Sequence, residues 1–180
     1  HADQQEASVH VEATSGFARV GEERTSAVDT VPLAGANARL TYGVRDTLSL
    51  DAELGFAHQG TGHFDGAKVT FAGTPGADGP VERSAQLVRL LIGGTLRLGV
   101  RWVPTVSVGG GPQVRLRGDG MYLPTGNVPD DHAAGVAVDL LATARVGLDV
   151  RVNRHWLAGA WVGGAYAVPL GGPSFQSAEG

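Results

Sequence analysis

Alternation of apolar and polar residues with period two, repeated in segment after segment, is the feature that most constrains this chain. From Ala134 to Val150 every even position is apolar, through Val136, Val138, Leu140, Ala142, Ala144, Val146 and Leu148, while the odd positions include Asp139, Thr143, Arg145 and Asp149. Side chains of an extended strand point to opposite faces in turn, so the pattern predicts a strand with one wholly apolar face. The same parity holds in Ala36, Ala38, Leu40, Tyr42 and Val44 against Asn37, Arg39, Thr41 and Gly43. It holds again in Leu48, Leu50, Ala52, Leu54 and Phe56 against Ser49, Asp51, Glu53 and Gly55. Val88, Leu90, Ile92, Leu96 and Leu98 oppose Arg89, Thr95 and Arg97, with Leu87 and Leu91 as exceptions on the polar side. Val106, Val108, Val114 and Leu116 oppose Thr105, Ser107, Gln113 and Arg115. A weaker first segment sets Val9, Val11 and Phe17 against His10, Glu12 and Thr14, and a last one runs from Trp156 to Val168.

These segments are long enough to cross a bilayer as tilted strands of about 9 to 11 residues. The connections alternate in length. Arg45 and Asp46, Gly99 to Arg101, and Arg151 to His155 are short and include basic residues. Gly21 to Thr30, Gly60 to Glu82 and Gly118 to Asp131 are long and rich in Gly, Pro, Asp and Asn, the composition of surface loops. Short turns on one side and long loops on the other, joining antiparallel strands with one apolar and one polar face, predict an all-β, antiparallel up-and-down transmembrane β-barrel. Backbone groups in hydrocarbon must all be paired, so an open sheet edge is not tolerated there. About seven strands are visible of an expected eight, because single-chain bacterial barrels have even strand numbers. Pro169 to Gly180 reads as a loop, and the expectation is that the sequence stops inside the last outer loop, before the closing strand.

Composition narrows the function classes. Residues 1–180 read as a single domain, and the 28 glycines suit turns and crowded strands. With 14 basic and 18 acidic side chains, nothing suggests a nucleic-acid footprint. The absence of cysteine removes disulfides, thiolate metal sites and cysteine nucleophiles. The chain opens at His1 with neither a methionine nor a basic-then-apolar leader, as expected where a signal peptide has been removed or the sequence cut back.

With its hairpins in view, the chain resembles the small outer-membrane β-barrel proteins of Gram-negative bacteria, the OmpA-type and OmpX-like eight-stranded class. The most telling stretch is Gly94 to Gly111, where Leu96-Arg97-Leu98 turns at Arg101 and re-enters as Trp102-Val103-Pro104, then Val106-Ser107-Val108-Gly109-Gly110-Gly111. That looks like the fourth-to-fifth-strand hairpin of many such proteins. The chain departs from the family in lacking the terminal strand with its closing aromatic residue. The resemblance implies a protein of the bacterial outer membrane, with short turns in the periplasm and long loops outside, and implies no single activity.

If the polar faces point inward, they place His10, Glu12, Asn37, Arg39, Asp51, Glu53, Arg89, Arg97, Gln113, Arg115, Asp139 and Arg145 in a narrow interior. An eight-stranded barrel is only wide enough to be filled by its own side chains, so such a network closes the interior. Tyr42, Trp102, Trp156 and Tyr166 lie near strand ends, where amphipathic rings favour the membrane interface; Trp161 falls mid-strand. His58, His63 and Asp65, and again Asp130, Asp131 and His132, are loose clusters without compact ligand spacing and read as solvated loop residues. No Gly-x-Ser-x-Gly elbow or comparable motif appears. The expectation is a non-enzymatic, monomeric barrel without cofactor or metal, in contact with outer-membrane lipid and able to meet an extracellular partner through its loops. The alternatives are a narrow pore and a soluble lipocalin-like ligand-binding barrel, in which the apolar faces would point inward.

Overall fold

In a computed structural model of the chain, residues 7–21, 28–68, 78–121, 135–153 and 156–171 are described. The alternating segments form seven strands: β1 (Ala7–Gly21), β2 (Val28–Arg45), β3 (Leu48–Lys68), β4 (Asp78–Arg97), β5 (Trp102–Met121), β6 (Gly135–Arg151) and β7 (Leu157–Gly171). Each pairs antiparallel with the next, in the order β1-β2-β3-β4-β5-β6-β7, and the described residues include no helix. The sheet curls into a half-barrel. Its curvature is visible in one distance: Glu12 on β1 and Arg145 on β6 approach to 3.4 Å, although five strand spacings in a flat sheet would hold them about 24 Å apart.

Register carries each alternating face into continuous rows. Glu12 of β1 stands opposite Asn37 of β2, Asn37 opposite Gly55 of β3, Gly55 opposite Arg89 of β4, Arg89 opposite Gln113 of β5 and Gln113 opposite Asp139 of β6. All of these face the concave side. The apolar positions face the convex side, where β3 alternates strictly between buried Ser49, Asp51, Glu53, Gly55 and Ala57 and exposed Leu50, Ala52, Leu54 and Phe56.

The strands reach beyond the apolar alternation. A loop is expected over Gly60 to Glu82, yet β3 runs to Lys68 and β4 begins at Asp78, paired as Gly62↔Arg83, His63↔Glu82 and Phe64↔Val81. β5 likewise continues to Met121 and β2 starts at Val28. A hairpin ladder is held by backbone hydrogen bonds that any residue with an N–H can make, so glycine-rich polar sequence does not end it. Pro112 does interrupt one: the β4–β5 ladder skips from Arg89↔Gln113 to Ile92↔Gly110, since proline has no N–H to donate. At the β4–β5 turn Gly99 adopts a φ of 107°, a conformation that disfavours any side chain.

The concave face carries apolar side chains as well as charged ones. Ala57, Ala85 and Leu87 form a buried cluster with Leu33 packed against it, and Val31, Leu91, Ala137 and Leu141 are also buried. Leu87 and Leu91, exceptions to the sequence pattern, flank Arg89 along β4, and Leu91 stands opposite Glu53, so apolar and charged side chains alternate along the concave face. β1 and β7 are the two edges of the sheet, and because successive strands alternate in direction, these two run the same way.

Candidate functional site

The twelve polar residues singled out in the sequence share the concave face, where Asn37, Asp51, Glu53, Arg89, Gln113, Asp139 and Arg145 are buried and His10, Glu12, Arg39, Arg97 and Arg115 are partly so. They resolve into three groups. The central one is built on Arg145, whose guanidinium donates to both oxygens of Glu53 at 2.6 and 2.8 Å and to Glu12 at 3.4 Å. Glu12 also pairs with Arg39. Arg89 lies 3.8 Å from Glu53 and donates to Asn37 at 2.7 Å. Three guanidinium groups and two carboxylates thus join β1, β2, β3, β4 and β6 across the interior.

The second group is Asp139, fully buried, which accepts from Arg115 at 2.6 Å on each oxygen and from Gln113 at 3.2 Å. The third lies nearest the turns: Thr95 donates to Asp51, and Arg97 stands 3.4 Å from the His10 ring nitrogen, again linking β4 to β1. Desolvating these charges singly would cost several kcal/mol each; pairing with opposite charge and with hydrogen-bond donors offsets it.

Trp161, hard to place from its mid-strand position, faces Gly147 on the concave side, and its ring lies 4.6 Å from the Arg145 guanidinium. Gly163 makes room for the neighbouring strand and for that arginine: a Cβ there would crowd the Ala144 carbonyl oxygen and stand 2.8 Å from Arg145 Cγ. No spacing rule reveals this contact, though the adjacent Gly163 and Gly164 of β7 mark where a large neighbour fits. A small cavity among Arg39, Asp51, Glu53, Gly93, Ser107 and Arg145 has about 20 Å³, room for roughly one water molecule.

The aromatic residues named from the sequence are exposed: Tyr42, Trp102 and Trp156 toward the turns, and Tyr166 farther along β7. Of the loop clusters, His58 and His63 are exposed at the far end of β3; the Asp65 side chain, and all of Asp130, Asp131 and His132, lie outside the described residues. Among the described residues no group of His, Cys, Asp or Glu is placed to hold a metal ion, and no helix is long and apolar enough to cross a membrane. At the loop end Asp29 accepts from the backbone N–H groups of His63 at 2.9 Å and Thr30 at 2.7 Å. These two donors hold its carboxyl below the ordinary value, His63 contributing most.

Compared with known protein families, curated proteins and solved structures, the chain matches none of them.

Proposed function

We propose that this chain is an integral β-barrel protein of the Gram-negative outer membrane, non-enzymatic, with an interior closed by its own charges and with a structural role or one of recognition through its long loops. One observation carries the reading: the distribution of polarity is the reverse of a water-soluble protein's. Charged residues are buried on the concave face, while large apolar side chains stand in the open on the convex face, Val11 at 83%, Phe17 at 80% and Ile92 at 70% exposed. A monomer in water rarely exposes a contiguous apolar patch larger than a few hundred Å², and this one crosses all seven strands. Hydrocarbon is the solvent that suits it, and exposed Trp102, Trp156, Tyr42 and Tyr166 are the residue types that favour a membrane interface.

The seam between β7 and β1 belongs to the same reading. One strand running opposite to both would pair with each and give the even number expected of such barrels, and without it two rows of backbone groups would face hydrocarbon unpaired. Trp161 to Leu170 are exposed on both faces of β7, as suits a strand that awaits a neighbour. The ion pairs that cross the interior favour a plug over a pore, and a soluble ligand-binding barrel would need its large apolar side chains on the concave face.

The test is refolding in detergent followed by circular dichroism and by gel migration with and without boiling. The proposal expects a β-rich, detergent-dependent, heat-modifiable species. A monomeric β-protein that folds and stays soluble without detergent would overturn it.

A further inference from the structure

The short-turn end carries a feature that a closed, non-conducting barrel does not require. Arg45 is odd-numbered, and the parity of β2 would send it to the concave face with Asn37, Arg39 and Thr41. A register shift between Gly43 and Arg45 sets it opposite Leu48 instead, a convex position, where it is exposed. A bulge of this kind re-aims one side chain. Arg101, in the next short turn, is exposed as well and stands beside Trp102, itself on the convex side opposite Val150.

The neighbouring turns are tied into one rim by backbone hydrogen bonds. Arg97 N–H donates to Thr47 O at 2.8 Å, Arg151 N–H donates to Arg101 O at 3.0 Å, and Val152 N–H donates to Trp156 O at 3.0 Å. The rim therefore brings Arg45, Arg101, Trp102 and Trp156 to one end of the apolar belt. The side chains of Arg45 and Arg101 have no carboxylate partner among the described residues, unlike Arg39, Arg89, Arg115 and Arg145 of the interior. In sequence the long connections are of the other sign, holding Glu22, Glu23, Asp65, Asp119, Asp130 and Asp131 among few basic residues.

We propose that this rim is a docking surface for anionic phospholipid headgroups in the leaflet that faces the short turns, with Arg45 and Arg101 meeting phosphates and Trp102 and Trp156 seated at the interface beside them. The inference rests on the membrane reading. A guanidinium at the polar boundary of an apolar belt keeps its stem against hydrocarbon and its head in the phosphate layer, where it bonds phosphate oxygens in pairs.

The test uses the protein refolded into vesicles of phosphatidylcholine, alone and mixed with phosphatidylglycerol. Quenching of tryptophan fluorescence by brominated phosphatidylglycerol is compared with quenching by brominated phosphatidylcholine. The proposal expects the anionic lipid to be favoured by up to about fivefold per arginine, the preference to shrink toward parity in R45Q/R101Q, to survive in R45K/R101K, and to fade at high salt. Equal quenching by the two lipids, or a preference untouched by both R45Q/R101Q and salt, overturns it. Should R45Q/R101Q not insert, the salt series on the unaltered protein still decides. Absence of a heat-modifiable species in both kinds of vesicle is a different result and overturns the membrane reading itself.

Discussion

Arg145→Met is the most informative single change in the interior. The side chain removed makes a two-pronged contact with Glu53, a longer one with Glu12 and a stacking contact with Trp161. Without it, Glu53 keeps only Arg89, 3.8 Å away, and Glu12 keeps Arg39. Breaking a buried pair from one side costs about 3–5 kcal/mol because a charge is left behind, and the lost ring contact adds about 0.5–2 kcal/mol. Compensation by Arg89 trims the total, so the expected loss is about 4 kcal/mol, dominated by the stranded carboxylate. Urea unfolding of the protein refolded into vesicles, followed by tryptophan emission, measures it. Adding Glu53→Gln removes the stranded charge and should recover about half, a coupling that a double-mutant cycle reports directly. A loss below about 1 kcal/mol for Arg145→Met, the worth of a solvent-exposed pair, with no coupling to Glu53, would refute the argument that these charges are paired away from bulk water.

Three further outcomes are expected. Ile92→Arg, at the middle of the convex belt, should destabilise the vesicle-inserted protein by about 2–4 kcal/mol, whereas an exposed site in water would change by no more than about 0.5 kcal/mol; the same unfolding assay separates the two. Gly163→Val should crowd both the Ala144 carbonyl oxygen and the Arg145 side chain and so destabilise the protein even in the Arg145→Met background, with only the part that acts through Arg145 showing as a shortfall from additivity in a double-mutant cycle. Asp29 has a depressed pKa, so its support of the β2–β3 ladder is present at neutral pH and is lost as pH falls through that depressed value. Exchange protection of the His63 amide should fall over that acid range, and Asp29→Asn should remove the pH dependence.

Much of this architecture could be read from parity alone. Because the period of a strand is two, the even positions of Ala134 to Val150 and of Leu48 to Phe56 had to share a face, and the antiparallel up-and-down order followed from the alternation of short and long connections. Element ends were less legible. The outer halves of β3 and β4 contain Gly62, Gly66, Gly79 and Pro80, whose composition reads as loop, while what holds them is a backbone ladder that leaves no side-chain signature. Partners inside the interior were not legible either. That Arg145 meets Glu53 and Glu12 instead of its row neighbours Ser107 and Gly163 depends on curl and stagger, which no local pattern encodes. Leu87 and Leu91 showed in the sequence as misfits, and only the fold supplies Leu87 with its apolar neighbours Leu33, Ala57 and Ala85. The outward turn of Arg45 hangs on a one-residue bulge that parity counting passes over.

The wiring of the sheet also sets an order of events. Every ladder joins strands that are consecutive in the chain, so hairpins can be laid down one after another, each closing a loop far shorter than the stretch the ion pairs span. The ionic contacts are different in kind: His10 to Arg97 and Glu12 to Arg145 bridge 87 and 133 residues. They cannot form until the ribbon has bent far enough for its first strand to face its sixth, and until then those charges stay hydrated. A reporter on Glu12 and Arg145 would therefore time the bending of the ribbon, a slower clock than any signal from strand content.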